Sequence, residues 1–181
     1  MPPNGTEQRR TAPMPRMMVG HMTTPLPRRC LRAVLAPMPR LPISGLRAPT
    51  TADVGALARL MLAAYAGSVD DEGEDEADAL VEVRKTFGGD YGAFDAASSK
   101  LVTRADALLH ATLITRWQGR PFVAFAMTAP AAQRRGLARA CLISAMQDLR
   151  EQGETELRLF VTLANLPART LYESLGFVVE D

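Results

Sequence analysis

Along this chain apolar residues recur first at helical spacing and then at strand spacing. Val54, Leu57, Ala58, Met61, Leu62 and Tyr65 follow Thr50 and Thr51 at three- and four-residue steps. A helix brings such positions to one face, and a threonine hydroxyl can cap its first free N–H groups, so an amphipathic helix is predicted here. A shorter helix is predicted over 77–87, closed by Gly88 and Gly89. From Lys100 the spacing changes. Residues 101–103, 107–117 and 121–128 read as strands, with Gln118 and Gly119 as the turn between the last two. Connections this short favour antiparallel pairing.

Ala129 and Pro130 stop the third strand. Leu137, Cys141, Ala145 and Leu149, flanked by Ala138, Leu142 and Met146, then mark a long helix that ends near Gly153. Residues 157–163 form an apolar strand. Pro167 suits the first turn of a further helix, on which Ala168, Leu171, Tyr172 and Leu175 share a face until Gly176 closes it. Phe177, Val178 and Val179 begin a last strand. An antiparallel meander followed by strand, helix, strand, helix, strand predicts an α/β fold on a mixed central sheet. A chain of 181 residues suits one domain.

Charge divides the chain. Up to Thr50 there are eight arginines and a single acid, Glu7, together with much of the proline. Few apolar side chains are present to offset chain entropy, so residues 1–45 are expected to be an extension, largely disordered or loosely docked, ahead of a folded domain over 46–181. An organelle-targeting peptide is the rival reading, weakened by prolines that do not suit an amphipathic helix. Residues 30–35 alone could form a short docked helix. The opposite bias falls between Asp70 and Glu82, where eight carboxylates crowd together. It reads either as a solvated loop and helix start or as an acidic rim that attracts a cationic acceptor.

The net charge of +1 gives no overall reason to expect nucleic acid or a membrane surface as partner. No apolar run approaches the roughly 20 residues of a membrane span, and no secretory pattern opens the chain. Cys30 and Cys141 sit in no metal-ligand or redox spacing, so a reduced, cytoplasmic protein without metal is expected.

The candidate chemistry lies between the third strand and the long helix, at Gln133, Arg134, Arg135, Gly136, Leu137 and Ala138. The first N–H groups of a helix have no helical partner, and with the helix dipole they attract anions such as a pyrophosphate. Gly136 puts no side chain in the way, and the arginines add charge at the rim. No Gly-Lys-Ser/Thr follows and three spaced glycines are absent, which excludes a nucleotide P-loop and a dinucleotide fingerprint. About thirty residues on, Asn165, Ala168, Leu171, Tyr172, Leu175, Gly176 and Phe177 fall in the order Asn-x-x-Ala-x-x-Leu-Tyr-x-x-Leu-Gly-Phe. With both halves at this spacing, the chain resembles the GCN5-related N-acetyltransferase (GNAT) family.

The resemblance implies acetyl-CoA as cosubstrate, held in a gap between two splayed strands, here 121–128 and 157–163. It assigns main-chain contacts to Met127 and Thr128, the pyrophosphate to Gln133 through Ala138, and a further cofactor contact to Asn165. Ala138 stands where glycine is commoner. Tyr172 would lie near the sulfur as general acid. A small-molecule or peptide amine would attack the thioester directly, with no covalent acetyl-enzyme; Cys141, on an apolar helix face, suits such a route poorly. Many relatives place a glutamate base on the central strand, where this chain has Ala124 and Ala126. The base is then sought among Asp71, Glu72 and Glu74, with Glu72 first. Relatives also finish with two strands after Gly-Phe. Residues 19–46 or a second subunit, in a homodimer, would have to fill that wall. The rival to an enzyme is a non-catalytic acetyl-CoA sensor or interaction protein.

Overall fold

A computed structural model describes residues 26–180. The expected helices form where the apolar spacing puts them. Helix α1 (Val54–Tyr65) follows a single 3-10 turn at Thr51–Asp53, where Thr50 and Asp53 cap each other reciprocally. Asp75 and Asp78 do the same for α2 (Glu76–Gly88), and Gly89, in the left-handed region at φ 90°, ends it. Helices α3 (Leu137–Glu151) and α4 (Leu166–Glu173) complete the set.

Among the described residues, eight strands make one sheet. They are β1 (Arg28–Val34), β2 (Leu46–Arg47), β3 (Ala93–Phe94), β4 (Lys100–Arg104), β5 (Ala107–Trp117), β6 (Arg120–Thr128), β7 (Glu156–Thr162) and β8 (Val178–Val179). The order across the sheet is β2-β4-β5-β6-β7-β1-β8, and β3 pairs with β5. All neighbours are antiparallel except β6 and β7, as a helix crossover between strands requires. The fold is thus the predicted single-domain α/β arrangement on a mixed sheet. Helices α1 and α2 pack on one face through Leu57, Met61, Val83, Leu113, Phe125 and Met127. Helices α3 and α4 pack on the other through Leu142, Met146, Leu149, Leu159, Tyr172 and Phe177.

The arginine-rich segment corrects the expectation placed on it. Residues 28–34 are a strand seated between β7 and β8, not a docked helix or loose tail, and residues 1–25 lie outside the described part. Leu31 and Ala33 alternate into the α3/α4 core, and period-two alternation is what a strand needs. Two arginines of the strand find acids contributed from far along the chain: Arg28 with Glu72, Arg32 with Glu156. Further along the same segment Arg40 pairs with Asp148 and Glu151, and Arg47 with Asp53. Among the described residues β1 thus occupies the place between β7 and β8.

If β1 is part of the core, Leu31→Ala lowers unfolding stability by about 2–4 kcal/mol. Urea denaturation followed by circular dichroism measures this; a change within about 0.5 kcal/mol, as at an exposed surface site, would return the segment to the status of a docked tail.

Candidate active site

The site begins as a defect in the sheet. Strands β6 and β7 pair only at Phe122 with Arg158 and Val123 with Leu159. Immediately afterwards the β5–β6 register slips, with Ile114 opposite Val123 but Leu113 opposite Phe125, which leaves Ala124 as an extra residue. Such a bulge bends its strand and increases local twist. Beyond it β6 keeps its ladder to β5 but has none to β7, so its main chain on that side faces a gap.

Two adjoining hollows occupy the gap and share Tyr65, Asp70, Ala126, Asn165, Ala168 and Tyr172 in their walls, forming one cleft. The larger, of about 470 Å³, runs to Gln133, Gly136 and Leu137 at the start of α3. No side chain caps that helix N-terminus, so its leading N–H groups remain available. Gly136 has φ 75°, and a Cβ there would meet nothing within 4 Å, so conformation rather than crowding selects glycine and the space in front of the helix is clear. Arg134 also adopts positive φ, 59°, a costly geometry for a residue with a side chain and one that concentrates at functional sites.

At the other end of α4 the cleft is polar. Asn165 caps α4 by accepting from the Ala168 N–H at 3.1 Å, and its Nδ2 donates to Asp70 at 2.8 Å. The Thr162 hydroxyl donates to the other Asp70 oxygen at 2.5 Å. Tyr172 is buried, its ring edge-on to Phe177, and burial with the nearby Asp70 carboxylate pushes its phenol up to about 12. Tyr65 is pushed up as well, by burial first and then by Tyr172 and Asp70.

Fold and cleft can now be set beside known proteins. Residues 104–177 match the model of the Acetyltransferase (GNAT) family. Over this stretch the chain is similar to that family. Among solved structures, a GNAT-family protein from Novosphingobium aromaticivorans superposes with a TM-score of 0.59 at 23% identity, over 85% of this chain and 61% of that one. The ribosomal-protein-S18-alanine N-acetyltransferase from Escherichia coli gives 0.59 at 24%, over 75% and 78%. AAC(6')-Iy, solved with the bisubstrate analog CoA-S-monomethyl-acetylneamine, gives 0.55 at 14%, over 74% and 89%. At these identities the likeness is one of fold, and the chain spans less than two thirds of the first of these proteins. No curated protein matches it in sequence.

Within the GNAT fold the residues expected at the site are partly gathered. Thr128, Gln133, Arg134, Gly136, Leu137, Ala138, Asn165 and Tyr172 all line the cleft. Arg135 is exposed outside the lining, and the Met127 side chain is buried in the α1/α2 core, which leaves only its main chain available. Glu72 is not in the lining; it faces Arg28 across 3.6 Å. Asp71 accepts from the Gly67 and Gly73 amides and holds its own loop. Asp70 is the carboxylate that reaches the cleft, and nothing in its spacing distinguished it from seven neighbouring acids. Tyr65 was legible only as part of a helix face.

His110 gave no sequence signal at all. It is buried on β5 opposite Thr128, with Nδ1 2.8 Å from the Thr128 hydroxyl and Nε2 2.8 Å from that of Thr112. A neutral imidazole has one N–H and one lone pair, so it accepts from one threonine and donates to the other. Burial holds it neutral, lowering its pKa from 6.5 to about 4. The unfolded chain therefore binds the extra proton first. Stability from this group is complete above pH 6.5 and is lost as pH falls toward 4, by roughly 3 kcal/mol at about 1.4 kcal/mol per unit. His110→Gln, which does not titrate, should flatten the decline in urea midpoint between pH 7 and 4.5; an unchanged slope would remove the buried-neutral assignment.

Proposed function

We propose that this GNAT domain transfers an acetyl group from acetyl-CoA to an amine by direct attack, with Tyr172 and Asp70 serving the two proton transfers. Family and fold support acetyl transfer generally. The single observation that carries the finer reading is the cleft itself. It joins an uncapped helix N-terminus to a buried tyrosine and a carboxylate through a gap between splayed strands.

The leading amides of α3, with Gly136 clear in front of them and Arg134 at the rim, suit the pyrophosphate. The unpaired main chain of β6 at Met127 and Thr128 suits the pantetheine amides, and Asn165 closes the far side. At the thioester the acceptor nitrogen attacks the carbonyl carbon; a C–N bond forms as the C–S bond breaks. A β6 main-chain N–H steadies the oxyanion. The amine gives up its proton to Asp70, directly or through water, and the departing sulfur takes the Tyr172 proton. A phenol near 12 is a weak donor to a thiolate in water. Desolvation disfavours a thiolate as it disfavours a phenolate, which narrows the mismatch between the leaving sulfur and the phenol.

Asp70 takes the role first sought at Glu72, because it alone of the candidate carboxylates lines the cleft beside Tyr172. The cationic acceptor loses ground for a related reason: Asp71, Glu72, Asp75, Asp78 and Glu82 are each held by amides, arginine, lysine or tyrosine within the domain. The non-catalytic sensor shares the donor site and differs only in lacking turnover.

Acetyl-CoA at a hundredfold excess over its Kd should stabilise the protein by about 2.7 kcal/mol, read as a thermal shift that Gly136→Trp abolishes. Absence of any shift in the unaltered protein would sink the donor site. With an amine panel and thiol detection, Tyr172→Phe and Asp70→Asn should each lower kcat by about 10²-fold or more while the thermal shift persists. A bound cofactor with no turnover in the unaltered protein would instead favour the sensor.

A further inference from the structure

The smaller hollow of the cleft lies away from α3 and holds both a carboxylate and a cation. Asp70, Arg28, Phe122 and Phe160 all line it. Arg28 is the first residue of β1 and pairs in register with Thr162, whose hydroxyl bonds Asp70, so both charges occupy the same face of the sheet beside the cleft. Electrostatically they also meet at one point: the Tyr65 phenol is affected by Arg28 in one direction and by Asp70 in the other.

The two charges are held very differently. Asp70 is buried and fixed by two hydrogen bonds of 2.5 and 2.8 Å. Among the described residues Arg28 has a single ion pair, to Glu72 at 3.6 Å, with both side chains about a quarter exposed. That separation is beyond a good hydrogen bond, and exposed pairs of this kind contribute little. A guanidinium so weakly engaged can exchange one carboxylate for another, in bidentate geometry, at small cost. Phe122 and Phe160 are 5.4 Å apart with Trp117 against both, an apolar floor for a side chain.

Resting on the acetyltransferase reading, we infer that the acceptor carries a carboxylate beside its amine, the carboxylate taken by Arg28 and the amine by Asp70. A free amino acid with an apolar or aromatic side chain is the smallest such compound. Arg28 is then a specificity-determining residue supplied by the inserted strand, and Glu72 is its resting partner.

The test compares phenylalanine with phenethylamine, the same molecule without its carboxylate, using the full chain and acetyl-CoA. Phenylalanine should be acetylated with at least tenfold higher kcat/KM. Arg28→Gln should lower kcat/KM for phenylalanine at least tenfold more than for phenethylamine, mainly through KM, and Arg28→Lys should restore part of the difference. Isothermal titration of phenylalanine into protein saturated with CoA should show binding that Arg28→Gln weakens at least tenfold. Equal or better use of phenethylamine, or equal losses on both compounds in Arg28→Gln, would overturn the inference and leave the acetyltransferase reading standing. Failure to acetylate either compound overturns it also, and the acetyl-CoA thermal shift then reports separately on the donor site.

Discussion

The molecule is organised around a sheet that fails to close. Two residues of β6 pair with two of β7, and the bulge at Ala124 then turns the strands apart. Unpaired main-chain groups inside a protein are costly unless something satisfies them, so a gap of this kind is a demand for a ligand that offers amides of its own. The pantetheine arm of the proposed cosubstrate has that chemistry. Alanines at 124 and 126 keep the gap free of bulky side chains.

An open seam would weaken the sheet if its far side were unsupported. Strand β1 provides that support by pairing along the whole of β7 and carrying β8 on its other edge. Of the arginines that seemed to rule the segment out of a core, Arg28 and Arg32 lie on the face opposite Leu31 and Ala33, each beside an acid drawn from elsewhere. The same insertion brings Arg28 to the cleft. Structural closure and a candidate specificity residue thus come from one strand.

Polar burial follows the same logic. His110 is tolerated at the centre of the sheet because Thr112 and Thr128 use both of its nitrogens, and it fixes the hydroxyl of a residue on the cleft wall. Lys100 is likewise buried with three partners, Asp148 at 2.5 Å and the carbonyls of Ala97 and Ser99. These groups gain their partners only across strands and helices, so they make the packing specific without leaving any local signature.

Local and medium-range order was legible in the sequence. Apolar periodicity, a threonine cap at Thr50 or Thr51 and the closing glycines at 89, 153 and 176 located the four described helices and most of the sheet, because such signals act within a few residues. The α3 end of the cleft was legible through the resemblance carried by Gln133–Ala138 and Asn165–Phe177. Two short strands, β2 and β3, offer only two residues each and no period to detect. Residues 28–34 misled because only Leu31 and Ala33 are buried in the core, and Arg28 and Arg32 acquire partners more than 40 positions away. Which carboxylate enters the cleft was decided by tertiary structure alone. Asp70 and Glu72 are chemically alike and two residues apart; the hydrogen bonds of Thr162 and Asn165 hold the first in the cleft, whereas the second lies outside its lining.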